Sequence, residues 1–203
     1  MDFEFIEDIC TDPISAATLN CTDASELKKQ GVHIKELYSK ALDEINKSVQ
    51  VKNYDNCAAG VTRMQGFLNW KKTVACGDGK LYAGVQIQDK SFRITVEPFA
   101  NFENHKEIYS FEDKNNSSDI YVKVAQWENK ILEELSEQFD FFISDGKEKM
   151  EPYKYGDFKF MKSDLKEKTP ISKLAKAVDV ALELIEKKSD ELCRLDFKFK
   201  RND

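Results

Sequence analysis

Residues 68–98 read LNWKKTVACGDGKLYAGVQIQDKSFRITVEP, and the alternation in this stretch decides the fold class. Leu68, Trp70, Val74 and Cys76 share one parity, interrupted only by Lys72. After Gly77, Asp78 and Gly79 the pattern returns as Leu81, Ala83, Val85 and Ile87, and after Asp89 and Lys90 as Phe92, Ile94 and Val96. Side chains two apart on a strand face the same way, so the stretch predicts a three-stranded antiparallel meander with one face in a core. The opposite face carries Lys71, Thr73, Tyr82, Gln86, Gln88, Arg93, Thr95 and Glu97 and is expected to be solvated. Within it Tyr82, Gln86, Gln88, Arg93, Thr95 and Glu97 form the candidate binding patch, because aromatic and arginine side chains are favoured at recognition surfaces.

Upstream, Phe3, Phe5, Ile6 and Ile9 make a short apolar segment that Pro13 interrupts, read as an arm over residues 1–22. Asp23 with Glu26 has the form of a capping box, and Leu37, Tyr38, Ala41, Leu42, Ile45 and Val49 lie on one helical stripe. Residues 50–60 read as a loop into the meander, and residues 101–118 as a long polar surface loop. A second helix should place Val124, Trp127, Ile131, Leu132, Leu135 and Phe139 inward, although Ile120, Tyr121 and Val122 are β-prone. Phe141–Ile143 and Tyr155–Phe160 read as strands of a hairpin. Thr169 before Pro170 signals a helix start, the threonine oxygen being free to accept a backbone N–H. Ile171, Leu174, Ala175, Val178, Leu182 and Ile185 then form its buried stripe, and Leu195, Phe197 and Phe199 suggest a last strand against the sheet. The whole is an α+β single domain over residues 23–203: an antiparallel or mixed sheet of five or six strands with about three helices, in the order α-β-β-β-α-β-β-α with a closing strand. That order resembles the one in type III secretion chaperones and other small acidic adaptor domains, over about residues 23–192 and without a shared sequence motif.

Bulk properties narrow the function. A hydrophobic fraction of 41% and a charged fraction of 33% fit a folded globular chain, and no run of apolar residues is long enough to span a bilayer. Asp2, Glu4, Glu7 and Asp8 occupy the place where a secretion signal needs basic residues, so a cytoplasmic location is expected. Cys10, Cys21, Cys57, Cys76 and Cys193 are odd in number and widely spaced, which predicts reduced thiols and no zinc site. The net charge is −6, with residues 144–203 holding 15 basic and 13 acidic side chains, so a nucleic-acid interface would have to be local to that later part.

No phosphate-binding loop, dinucleotide fingerprint, serine elbow or paired helical histidine is present, and His33 and His105 are the only histidines. A metal-dependent nuclease needs an acid on one strand and, on the next, an acid two places before a lysine. Asp157 with Lys159 and Asp196 with Lys198 supply the second half, with Glu97 or Asp78 as partner acid, but half-buried strands also generate the same spacing. The expectation is therefore a non-enzymatic cytoplasmic protein-binding module of adaptor, chaperone or inhibitor type, able to form a homo-oligomer, with no cofactor, metal or membrane partner. The alternative is a metal-dependent nuclease or nucleic-acid-binding accessory factor of a defence or restriction system, using Asp157, Lys159 and Glu97.

Overall fold

The computed structural model describes residues 54–62, 65–88, 91–101, 107–111, 119–143, 153–155, 158–166, 169 and 171–201. Four strands follow one another as a meander: β1 (Asn56–Thr62), β2 (Gln65–Cys76), β3 (Gly79–Gln88) and β4 (Ser91–Pro98). Two short strands, β5 (Ala100–Asn101) and β6 (Glu107–Phe111), lead to helix α1 (Asp119–Gln138). Then come β7 (Phe142–Ile143), β8 (Tyr153–Tyr155), β9 (Phe158–Leu165), α2 (Ile171–Lys187), α3 (Ser189–Cys193) and β10 (Phe199–Arg201). The main sheet has the order β1-β2-β3-β4-β9-β7, with β8 on β9, and every pairing in it is antiparallel. A second sheet of order β10-β6-β5 completes the α+β fold.

The register is the one that the alternation demands. Trp70 stands opposite Val85, and Val85 opposite Ile94, so the apolar parity of three strands falls on one face. All these side chains are buried, with Trp70, Leu81, Val85 and Ile94 wholly so. Helix α1 covers β4 and β9, α2 covers β3, and α3 lies against the end of β2. The stripe Leu174, Ala175, Val178, Leu182 and Ile185 on α2 is buried as its spacing predicts. On α1 the buried set is Tyr121, Val124, Ala125, Trp127, Glu128, Ile131, Leu132 and Leu135. The β-prone opening of α1 is helical: once Tyr121 and Val124 can be buried against the sheet, packing outweighs the small intrinsic preference. The indole N–H of Trp127 donates to the Lys188 carbonyl at 2.9 Å, which ties α1 to the junction of α2 and α3.

Lys72, the exception in the apolar parity of β2, is resolved by packing. Its ammonium reaches Glu186 of α2 at 3.0 Å, so the sheet-to-helix boundary holds an ion pair. At Gly84 the β2 backbone leaves no room for a side chain, since a Cβ there would lie 2.3 Å from the Trp70 carbonyl oxygen and 3.1 Å from Lys71 Cα.

Several expectations are corrected. Residues 56–60 of the expected loop belong to strand β1: Asn56-Cys57-Ala58-Ala59-Gly60 has too little apolar contrast to show alternation, and its pairing with β2 supplies what the side chains lack. Part of the expected loop 101–118 is β6, which pairs with β10. The closing strand is therefore Phe199–Arg201 in the small sheet rather than an addition to the large one. The Thr169 hydroxyl donates to the Lys166 carbonyl at 2.7 Å, fixing the turn that precedes α2. Cys76 and Cys193 form a disulfide across 117 residues, against the expectation of reduced thiols, because the topology brings the end of β2 to the end of α3. The arm 1–22, the helix over residues 34–49, Cys10, Cys21, His33 and His105 lie outside the described residues.

Two stability predictions follow from this packing. Gly84→Ala drives a methyl into backbone that cannot swing aside, and urea denaturation should show a loss of about 1–3 kcal/mol. On α2, burial first and then the Glu183 carboxylate raise the Asp179 pKa, so folding favours the protonated acid. The charged form therefore weakens the fold at neutral pH, and this penalty fades as pH falls through the raised value. Asp179→Asn should gain about 0.2–0.5 kcal/mol at neutral pH, screening keeping it small, and nothing below pH ~3. Paired thermal melts at the two pH values check it.

Candidate functional site

Strand parity places Asn69, Lys71 and Thr73 of β2, Tyr82, Gln86 and Gln88 of β3, and Ser91, Arg93, Thr95 and Glu97 of β4 on the face away from the helices. This face is not a uniformly solvated surface: Asn69, Gln86, Gln88, Ser91 and Thr95 are all buried. The candidate patch separates into two clusters with different chemistry.

The first centres on Arg93. Its Nε donates to Ser91 Oγ at 2.9 Å, and its Nη1 donates to Gln86 Oε1 at 3.0 Å and to Gln88 Oε1 at 2.6 Å. Ser91 Oγ in turn donates to the Gln88 carbonyl at 2.8 Å. The guanidinium lies 4.5 Å from the centre of the Phe160 ring on β9, where its delocalised charge meets the negative face of the π system. Arg93, Gln86 and Gln88 thus satisfy one another, and Thr95 is buried beside them. Together they secure the outer face beside the turn between β3 and β4.

The second cluster surrounds a cavity of about 250 Å³ lined by Asn56, Asn69, Lys71, Tyr82, Glu97 and Pro98, among others. Lys71 and Glu97 form an ion pair, and the Lys71 ammonium stands 5.4 Å from the Tyr82 ring centre. Phe99 also packs against Tyr82, with ring centres 4.8 Å apart. Nearby, the Asp55 carboxylate accepts the Thr73 N–H at 2.6 Å while the Asp55 N–H donates to the Lys71 carbonyl at 2.8 Å. Asn69 is more than nine-tenths buried, and its Oδ1 has no hydrogen-bond partner. A buried acceptor left unpaired costs free energy of about 1–3 kcal/mol, which a donor entering the cavity would recover.

Burial first, then the charges of Glu97 and Asp55, raise the Tyr82 pKa above its ordinary 10.0. The phenol is thus a firm proton holder at neutral pH, suited to donating a hydrogen bond and unsuited to general-base work. Lys71 and Glu97 cancel each other's charge, which leaves the cavity lined by a neutralised pair, a phenol and an amide. That arrangement offers hydrogen-bonding groups, and none of these lining residues is a nucleophile paired with a base.

Of the acids expected under the alternative, the described ones, Glu97, Asp78 and Asp196, do not lie together in one group. Asp157 lies outside the described residues, the register sets Lys159 opposite Val96, and Glu97 is engaged by Lys71. Asp78 sits in the turn between β2 and β3. Asp196 has φ of 55°, and residues 196–198 are not strand, so the shared-face premise fails for Asp196 and Lys198. A second cavity, of about 300 Å³, does bring Asp119, Lys123, Asp196 and Lys198 to one rim above Phe111 and Tyr121. Each acid there is neutralised by its own neighbour, Asp119 by Lys123 at 3.6 Å and Asp196 by Lys198 at 3.1 Å, and both acids are open to solvent. Among the described residues no group of three or more His, Cys, Asp or Glu is arranged to hold a metal ion.

Sequence reasoning singled out Tyr82 and Glu97 but missed Asn69, Lys71 and Asp55 as their neighbours. The parity signal was available for Asn69 and Lys71; nothing local marks Asp55, which acts through a contact 18 residues away. Compared with protein-family models, with curated proteins and with solved structures, the chain matches none.

The electrostatics of the second cluster can be checked directly. Glu97→Gln should lower the Tyr82 pKa, read by ultraviolet titration with Tyr82→Phe as the subtraction control. Because folding holds the phenolic proton more tightly, this group's contribution to stability is complete below pH 10.0 and is lost as pH rises through the folded value.

Proposed function

We propose that this chain is a non-enzymatic, cytoplasmic protein-binding module of adaptor, chaperone or inhibitor type, which engages its partner through the outer sheet face around Tyr82. The observation that carries this reading is the cavity in which Asn69 Oδ1 is buried without a partner beside Tyr82 and the Lys71–Glu97 pair. Such a site is preorganised for hydrogen bonding by a group supplied from outside. Ile143 is the only large hydrophobic side chain exposed among the described residues, which supports a polar, hydrogen-bonded interface over an apolar groove. No helix among the described residues is long and apolar enough to cross a membrane.

The rival reading, a metal-dependent nuclease using Asp157, Lys159 and Glu97, draws less support, since Glu97 is engaged by Lys71 and the exposed acids at the second cavity are each paired with a lysine. A homo-oligomer is compatible with the binding reading, the partner then being a second copy of the chain.

The test uses the purified full chain, captured from its host and also examined for mass by light scattering. Wild type should hold one stoichiometric partner, or a second copy of itself. Asn69→Leu and Tyr82→Ala should each weaken that association about five- to 150-fold, from about 1–3 kcal/mol per lost contact, while circular dichroism stays unchanged. Mg²⁺-dependent cleavage of DNA or RNA by wild type that disappears in Asp157→Ala would replace this reading with the hydrolytic one.

A further inference from the structure

Cys76 ends β2 and Cys193 ends α3, and their Cα atoms stand 4.8 Å apart in a disulfide that spans 117 residues. We propose that this pair is a reversible thiol–disulfide modification site that latches residues 189–201 onto the main sheet, with a low-molecular-weight disulfide such as oxidised glutathione as the oxidant.

Unequal access sets the order of events. Cys76 is buried, whereas Cys193 is partly exposed. The Cys193 thiolate attacks one sulfur of the small disulfide, forming a mixed disulfide and releasing one glutathione thiolate. The Cys76 thiol then passes its proton to the departing glutathione sulfur and attacks Cys193 Sγ. The mixed bond breaks, the Cys76–Cys193 bond forms, and a second glutathione leaves. Two protein thiols are oxidised and one disulfide is reduced to two thiols; excess reduced glutathione drives the sequence backward.

The backbone needs little rearrangement between the two states. Cys193 Sγ lies 3.2 Å from the Ala75 carbonyl oxygen, so the reduced thiol has an acceptor within reach where it stands. What changes is the strength of attachment. Beyond Cys193 the segment is held by buried Phe197, stacked on Phe111 at 5.2 Å, and by the three-residue strand β10 on β6. Phe199 fills the space over Gly79, where a Cβ would lie 2.2 Å from its ring. Two phenylalanines and a short edge strand make a weak dock, and the covalent bond converts it into a fixed one. Leu195, Asp196, Phe197 and Lys198 line the cavity beside Tyr121, so the segment that the bond secures also forms one wall of that cavity.

The experiment equilibrates the full wild-type chain across a series of reduced-to-oxidised glutathione ratios, quenches it in acid, alkylates it and maps the peptides by mass. Parallel native samples receive brief trypsin. Oxidising ratios should yield a linked Cys76–Cys193 peptide, and reducing ratios should return both residues to the alkylated form with circular dichroism unchanged. Cleavage after Arg194 and Lys198 should be severalfold faster in the reduced protein, and Cys193→Ser should show the fast rate at every ratio. The proposal is overturned if both cysteines remain alkylatable throughout, if the linked peptide persists under excess reduced glutathione, or if the two states are cleaved at the same rate. The wild-type series decides the matter even where the variant folds poorly.

Discussion

Burial of the apolar face of β3 is the constraint from which the rest of this molecule follows. Leu81, Ala83, Val85 and Ile87 are covered on one side by α2, and the strand is bonded on both edges by β2 and β4. A buried strand with neighbours on each side has no freedom to slip, because a shift of one residue would exchange its entire apolar set for Tyr82, Gln86 and Gln88. The residues displayed on the outer face are therefore chosen by the core behind them. Their mutual positions are as fixed as the core itself.

That rigidity gives the polar face its character. Burying amide and guanidinium groups is costly unless each finds a partner, and Arg93 resolves the cost locally by bonding Gln86, Gln88 and Ser91 while resting on Phe160. Next to this cluster on the same face the solution is incomplete, where Asn69 stands directly opposite Gln86. Lys71 and Glu97 answer one another, whereas Asn69 keeps an acceptor oxygen with nothing to accept from. The two clusters adjoin and yet differ: Arg93 is held by Ser91, Gln86 and Gln88, while Asn69, directly opposite Gln86, keeps an unpaired oxygen. The distinction rests on pairing, since both clusters look equally polar in the sequence.

Strong periodicity made most of the fold legible. The meander, the stripe of α2 and the inward positions Trp127, Ile131 and Leu135 of α1 all follow from spacing, because long amphipathic patterns leave packing few alternatives. Strand β1 was hidden because Ala58, Ala59 and Gly60 offer no contrast between faces, and β6 because its partner β10 lies some ninety residues on. Glu128 was hidden for another reason: a carboxylate wholly buried on the inner side of α1 contradicts the pattern that marks every other residue there. Half of the candidate site was readable from parity, as Tyr82 and Glu97 were. The cystine was not, since two cysteines 117 positions apart carry no local signal and meet only once the chain has chosen its topology.

The adjacent lysines of β2 show how closely these features depend on one another. Lys71 faces outward to Glu97 and Tyr82, and Lys72 faces inward to Glu186 of α2. Asn69 shares the parity of the first, and Cys76 the parity of the second. One strand therefore carries the open cavity on one side and, on the other, two attachments of the helical layer, an ion pair and a covalent bond. A slip of one residue would place Lys71 against the helices and Asn69 in the core, destroying cavity and latch together. The geometry of the outer face is held in place by the same strand that anchors α2 and α3. The register of β2 is the physical link between the two.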